Sequence, residues 1–154
     1  MADGIDIVDF VRGVAARKRG RACAVMTREY SDQSEWAEKL AGLTDSEHID
    51  LLDLFNGEER LADNLATYTP EGMFTLLQDR VKQGTAIVSG IEFLKASWSG
   101  RPNSAEEFAA RLETWQGDPA LVFVMQYDKA IAERPYRRFR QYTFIVDQRE
   151  TFAL

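Results

Sequence analysis

Five residues stand where the apolar runs of this chain give out and polar chemistry could begin: Thr27, Arg28, Ser89, Glu92 and Gln126. Thr27 and Arg28 follow the run Ala22 to Met26; Ser89 closes the run from Thr85, with Glu92 three positions on; Gln126 follows Ala120 to Met125. Open parallel sheets bind ligands beyond the carboxyl ends of such buried strands. A phosphate there needs glycines that let backbone N–H groups wrap the anion, a lysine for charge and a hydroxyl for magnesium. Residues 27 to 35 contain neither glycine nor lysine, and Arg28 is their sole cation, set against Glu29, Asp32 and Glu35. Three carboxylates make a poor seat for a polyphosphate. Ser89 stands where magnesium would want a carboxylate, and one neutral hydroxyl does not replace it. If a nucleotide is retained, these five residues line its site.

The sharpest local feature lies near the end of the chain. Arg134, Arg137, Arg138 and Arg140 are interleaved with Tyr136, Phe139 and Tyr142. Such a segment can stack bases and pair phosphates, or anchor an acidic protein partner. It can equally be a basic turn that leads into an edge strand, aromatics inward and arginines solvated. The remaining residue types offer less. His48 is the single histidine and Cys23 the single cysteine, so the chain alone cannot assemble a zinc site from the usual nitrogen and sulfur ligands. His48 reads as a strand-boundary residue, Cys23 as a small buried one. No nucleophile motif with a histidine partner is present. The reading therefore assigns no catalytic residue, no metal and no cofactor.

The elements that must hold these residues alternate. Ile7, Phe10, Val11 and Val14 recur at helical spacing, so a helix over about residues 4 to 17 is expected, ending in the basic stretch Arg17 to Arg21. A strand over 22–27 follows, apolar on both faces. Asp32 with Glu35 has the form of a capping box, ahead of a helix whose stripe is Trp36, Leu40 and Leu43. His48 to Phe55 reads as a second strand, stopped by Asn56-Gly57. Thr69-Pro70-Glu71 opens a helix with Met73, Phe74, Leu77 and Val81 on one face, and Thr85 to Ser89 is a third strand. The segment Ile91 to Trp98 carries no clear period. Ser104 with Glu107 is a second capping box, for a helix with Phe108, Leu112 and Trp115 on its buried stripe. Gly117-Asp118-Pro119 launches the fourth strand, Ala120 to Met125; a short helix near 128–133 and a strand over 142–146 complete the chain. Parallel returns need crossovers, so the expectation is an α/β fold: a mostly parallel five-stranded sheet with helices on both faces, in one domain spanning 1–154.

Composition narrows the partners. The chain has 154 residues, 45% hydrophobic and 29% charged, which suits a folded domain with a core of its own. Its net charge of −6 repels phosphate backbones, so any nucleic-acid role must be local, through residues 134–140. A protein partner fits better. One cysteine permits no intrachain disulfide, and neither a signal peptide nor a run of about 20 apolar residues is seen, which points to the cytoplasm and away from a membrane.

A resemblance enters at this point. From Thr85 to the C-terminus the chain resembles a divergent P-loop NTPase-like domain. It is similar to the small P-loop accessory proteins of BREX-type phage-exclusion systems in Ser89-Gly90-Ile91-Glu92-Phe93-Leu94 and in Pro135-Tyr136-Arg137-Arg138-Phe139. Residues 48–128 also resemble the degenerate RecA-like sensory domain known as MEDS, through His48-Ile49-Asp50-Leu51-Leu52-Asp53, Tyr68-Thr69-Pro70-Glu71 and Gln126-Tyr127-Asp128. Both resemblances imply a RecA-like core used for regulation or assembly. The missing phosphate loop sets the chain apart from them and puts ATP binding and hydrolysis in doubt. The expectation is a non-catalytic adaptor or regulatory subunit of a bacterial multiprotein system, with anti-phage defence as the implied setting. It would touch its partner through Arg134, Tyr136, Arg137, Arg138, Phe139 and Arg140. A small acidic immunity or inhibitor protein masking a basic enzyme surface is one alternative. A nucleotide-binding ATPase with an atypical loop is another.

Overall fold

Three runs, Ala22–Met26, Thr85–Ser89 and Ala120–Met125, are buried at every position. A strand with both faces covered has no polar side to show, and only a sheet sandwiched between helices provides that setting. The computed structural model of the protein describes residues 7–16, 21–27, 33–65, 68–98, 103–132 and 143–146. Within them the chain runs α1 (Ile7–Ala16), β1 (Ala22–Thr27), α2 (Gln33–Leu43), β2 (Glu47–Asp50), α3 (Leu51–Gly57), α4 (Glu59–Asp63) and α5 (Pro70–Arg80). It continues with β3 (Thr85–Ser89), α6 (Glu92–Ser97), α7 (Ser104–Thr114), β4 (Ala120–Gln126), α8 (Lys129–Ala132) and β5 (Thr143–Val146). The fold is α/β. The sheet has the order β2-β3-β4-β1-β5 and every neighbouring pair is parallel.

Strand periodicity sorts the core into two layers. Ala22, Ala24 and Met26 of β1, Ala86 and Val88 of β3, and Leu121, Phe123 and Met125 of β4 face one layer, with α3 to α8 over them. Small β1 and β3 side chains leave room there for aromatic packing: Phe123 meets Phe74 of α5 and Phe108 of α7 at centroid distances of 5.3 and 5.2 Å. Cys23, Val25, Ile87, Val122 and Val124 face the other layer, against Ile7, Val11 and Val14 of α1 and Trp36, Ala37, Leu40 and Ala41 of α2. Crossovers of one hand that travel in opposite directions must use opposite faces. Accordingly α2 carries the chain from β1 to distant β2 over one face, and the return through β3 and β4 uses the other.

Arg21 fastens the ends of this path. Its guanidinium donates to the carbonyls of Ala15 (2.9 Å) and Gly117 (3.1 Å) and pairs with Asp118 (3.1 Å). One member of the basic stretch thus satisfies a carbonyl in the last turn of α1, as cations at a helix C-terminus do.

Some local expectations are corrected. The run from His48 to Phe55 is not one strand: β2 stops at Asp50, whose Oδ1 accepts from the Asp53 N–H at 3.1 Å and starts α3, burying Leu51 and Phe55 four residues apart. A capping aspartate therefore overrides an apolar run. Leu43 is exposed (42%), outside the buried stripe of α2. Asn103 rather than Ser104 precedes α7 as its cap residue, in the left-handed region at φ 65° that Asn tolerates, and Ser104 is the first helical residue. Residues 92–97 form α6. The expected capping by Asp32 lies outside the described residues.

Gly90, just after β3, has φ +72°, and a Cβ there would stand 2.6 Å from Asp50 Oδ1 and 3.0 Å from the Leu52 backbone nitrogen. Both the dihedral and the space require glycine. Gly90→Ala is expected to destabilise the fold by about 1–3 kcal/mol, read as a lowered midpoint in urea denaturation with an unchanged slope.

Candidate functional site

The carboxyl ends of the strands hold two separate groups of polar residues. The first lies at β1 and β4, the neighbours from which the chain departs in opposite directions, toward β2 and toward β5. Doubly wound sheets bind ligands beside strands whose connections leave in opposite directions. Thr27 is registered with Gln126. Glu92, on the first turn of α6, accepts the Gln126 backbone N–H at 3.2 Å, and beside it Lys95 pairs with Asp128 at 2.7 Å. Burial pushes the Glu92 carboxyl above its ordinary value, more than the Gln126 N–H and the Lys95 charge lower it; Asp128 adds to the rise. Three of the five expected residues, Thr27, Glu92 and Gln126, therefore belong to this end. Arg28 lies outside the described residues.

Ser89 belongs to the second group. Strand alternation turns it to the α2 side, and the register that pairs Asp50 with Ser89 brings His48 and Asp50, two apart on β2, to the same side. Ser89 Oγ donates to Asp50 Oδ2 at 3.0 Å and lies 2.8 Å from His48 Nε2. His48 Nδ1 contacts the Glu38 carboxylate of α2. A depression of about 560 Å³ opens beside the chain of contacts, lined by Ser34, Glu35, Glu38, His48, Asp50 and Asp53.

Serine, imidazole and carboxylate in this sequence have the order of an acylating triad. Two observations argue against that chemistry. Ser89 is fully buried, and the Asp50 carboxylate occupies the hydroxyl's flank, where an oxyanion would have to form against a like charge. Ser89 instead ties β3 to β2. Among the described residues, no three His, Cys, Asp or Glu side chains are grouped so as to hold a metal ion.

In the sequence His48 marks only a strand boundary, Asp50 stands out only within the segment His48 to Asp53, and Glu38 carries no signal of its own. The signal joining His48 and Asp50 was a two-residue spacing on a short strand opposite a strand-end serine, visible only once β2 and β3 are known to pair in that register. The arginine-rich candidates Arg134, Tyr136, Arg137, Arg138, Phe139 and Arg140 lie outside the described residues. No helix among the described residues is long and apolar enough to cross a membrane. No family model, curated protein or solved structure matches the chain.

A carboxyl whose value is raised in the folded state holds its proton more tightly there than in the unfolded chain, so ionising it opposes folding as the pH climbs above the ordinary 4.5. Glu92→Gln keeps an acceptor for the Gln126 N–H and drops the charge. Thermal denaturation from pH 4 to 8 is expected to find the variant more stable than the parent near neutrality, with the gap closing toward the acid end.

Proposed function

We propose that this chain is a non-catalytic adaptor or regulatory subunit of a bacterial multiprotein system, a RecA-like core that works through protein–protein contacts. Anti-phage defence is the setting its sequence resemblance suggests. The observation that carries the reading is the end of β3: where metal-assisted phosphate chemistry wants an open carboxylate, Ser89 is fully buried and its hydroxyl is used between β2 and β3. Glu92, three residues beyond Ser89, is turned to the backbone of Gln126. The partner surface is assigned to the arginine-rich segment from Arg134 to Arg140.

Two measurements test this reading. Calorimetry with Mg-ATP and Mg-ADP is expected to give no binding tighter than millimolar; low-micromolar binding that Glu92→Ala abolishes would replace the adaptor with a nucleotide-binding enzyme. The paired reversal Arg137→Glu and Arg138→Glu is expected to abolish co-purification with the products of neighbouring genes, and undiminished co-purification removes the assigned surface.

A further inference from the structure

The contacts among Glu38, His48, Ser89 and Asp50 require a definite number of protons. Three contacts join the four groups: Glu38 to ring Nδ1, ring Nε2 to Ser89 Oγ at 2.8 Å, and Ser89 Oγ to Asp50 Oδ2 at 3.0 Å. Each hydrogen bond contains one proton. Ionised carboxylates at both ends only accept, a serine hydroxyl has one proton to give, and a neutral imidazole has one N–H. Those groups supply two protons for three contacts. If the ring gives its N–H to Glu38 and Ser89 gives its hydroxyl proton to Asp50, Nε2 faces Oγ with a lone pair on each.

We propose that the Glu38–His48–Ser89–Asp50 cluster retains one additional proton near neutral pH, carried on the ring between Glu38 and Ser89, and that this proton is a lock joining α2 to the β2–β3 edge. The surroundings favour retaining it. Glu35 and Glu38 of α2, Asp50 of β2 and Asp53 of α3 line the adjoining depression with Ser34 and His48, and no lysine or arginine is among them. The His48 side chain is only 10% exposed, whereas Glu38 is 72% exposed, so exchange with solvent occurs from the α2 side. Loss of the proton leaves the hydroxyl able to serve Nε2 or Asp50 but not both. Since Asp50 also caps α3 through the Asp53 N–H, the lock spans α2, β2, β3 and the start of α3. Its charge state belongs to the cluster as a whole. The device does not depend on the adaptor reading.

His48 is the single histidine of the chain, so its ring nitrogens can be read without overlap in a ¹⁵N-labelled sample. At pH 7.5 both nitrogens are expected to show the protonated signature in the parent, and one of them is expected to lose it in Ser89→Ala and in Glu38→Gln. The second variant changes an exposed carboxylate and keeps the test valid if removal of Ser89 impairs folding. A parent ring with one protonated nitrogen at pH 7.5, or a Glu38→Gln ring that still shows two, overturns the proposal.

Discussion

β4 lies between β1 and β3, and most of the molecule follows from that insertion. Its residues from Ala120 to Met125 are buried on both faces, so each must find apolar cover above and below a sheet that neither neighbour can leave. Residues of alternate parity meet that demand differently. Leu121, Phe123 and Met125 sit under the thicker layer of α3 to α8, where Phe74 and Phe108 close around Phe123. Ala120, Val122 and Val124 sit under α1 and α2, where shorter side chains suit the single tier of helix above. The two layers are thus filled differently, by a cluster of aromatic rings around Phe123 on one side and by mainly aliphatic side chains with Trp36 on the other.

The same geometry turns potential chemistry inward. Strand ends in an open sheet ordinarily present their polar side chains to a ligand. In this chain Ser89 bonds across to β2, Glu92 receives a backbone N–H from the end of β4, and Asp128 is taken by Lys95. Each polar group finds a protein partner before it meets a solute. On the proposed reading such self-satisfaction accompanies the change from a catalyst to a scaffold: groups that no longer bind a nucleotide are costly to leave dry and unpaired, and cross-links among neighbours remove that cost.

Much of the architecture was legible because it depended on short-range pattern. Continuous apolar runs marked β1, β3 and β4, and Thr69-Pro70 marked the start of α5, where Thr69 Oγ1 does accept the Gly72 N–H at 3.1 Å. The parts that escaped depended on partners remote in sequence. The apolar run after His48 hid a strand-to-helix change because Asp50 acts through its side chain rather than through hydropathy. His48 is 10 residues from Glu38 and 41 from Ser89, and no local pattern announces that the three converge. α6 was obscure because six residues offer less than two full turns of periodicity.

The strand order also has a consequence for the nascent chain. Among the described strands β1 leaves the ribosome before the others, yet its neighbours in the sheet are β4 and β5, so its backbone ladder stays open until translation has passed residue 126. Arg21, beside it, likewise waits for the carbonyl of Gly117 and the carboxylate of Asp118. Meanwhile the β2–β3 pair needs nothing made later than residue 89. Assembly during synthesis is thereby ordered from the β2 edge of the sheet toward β5, and the apolar strand β1 stays unpaired while residues 28 to 119 are made, the interval in which a holding chaperone has most to shield.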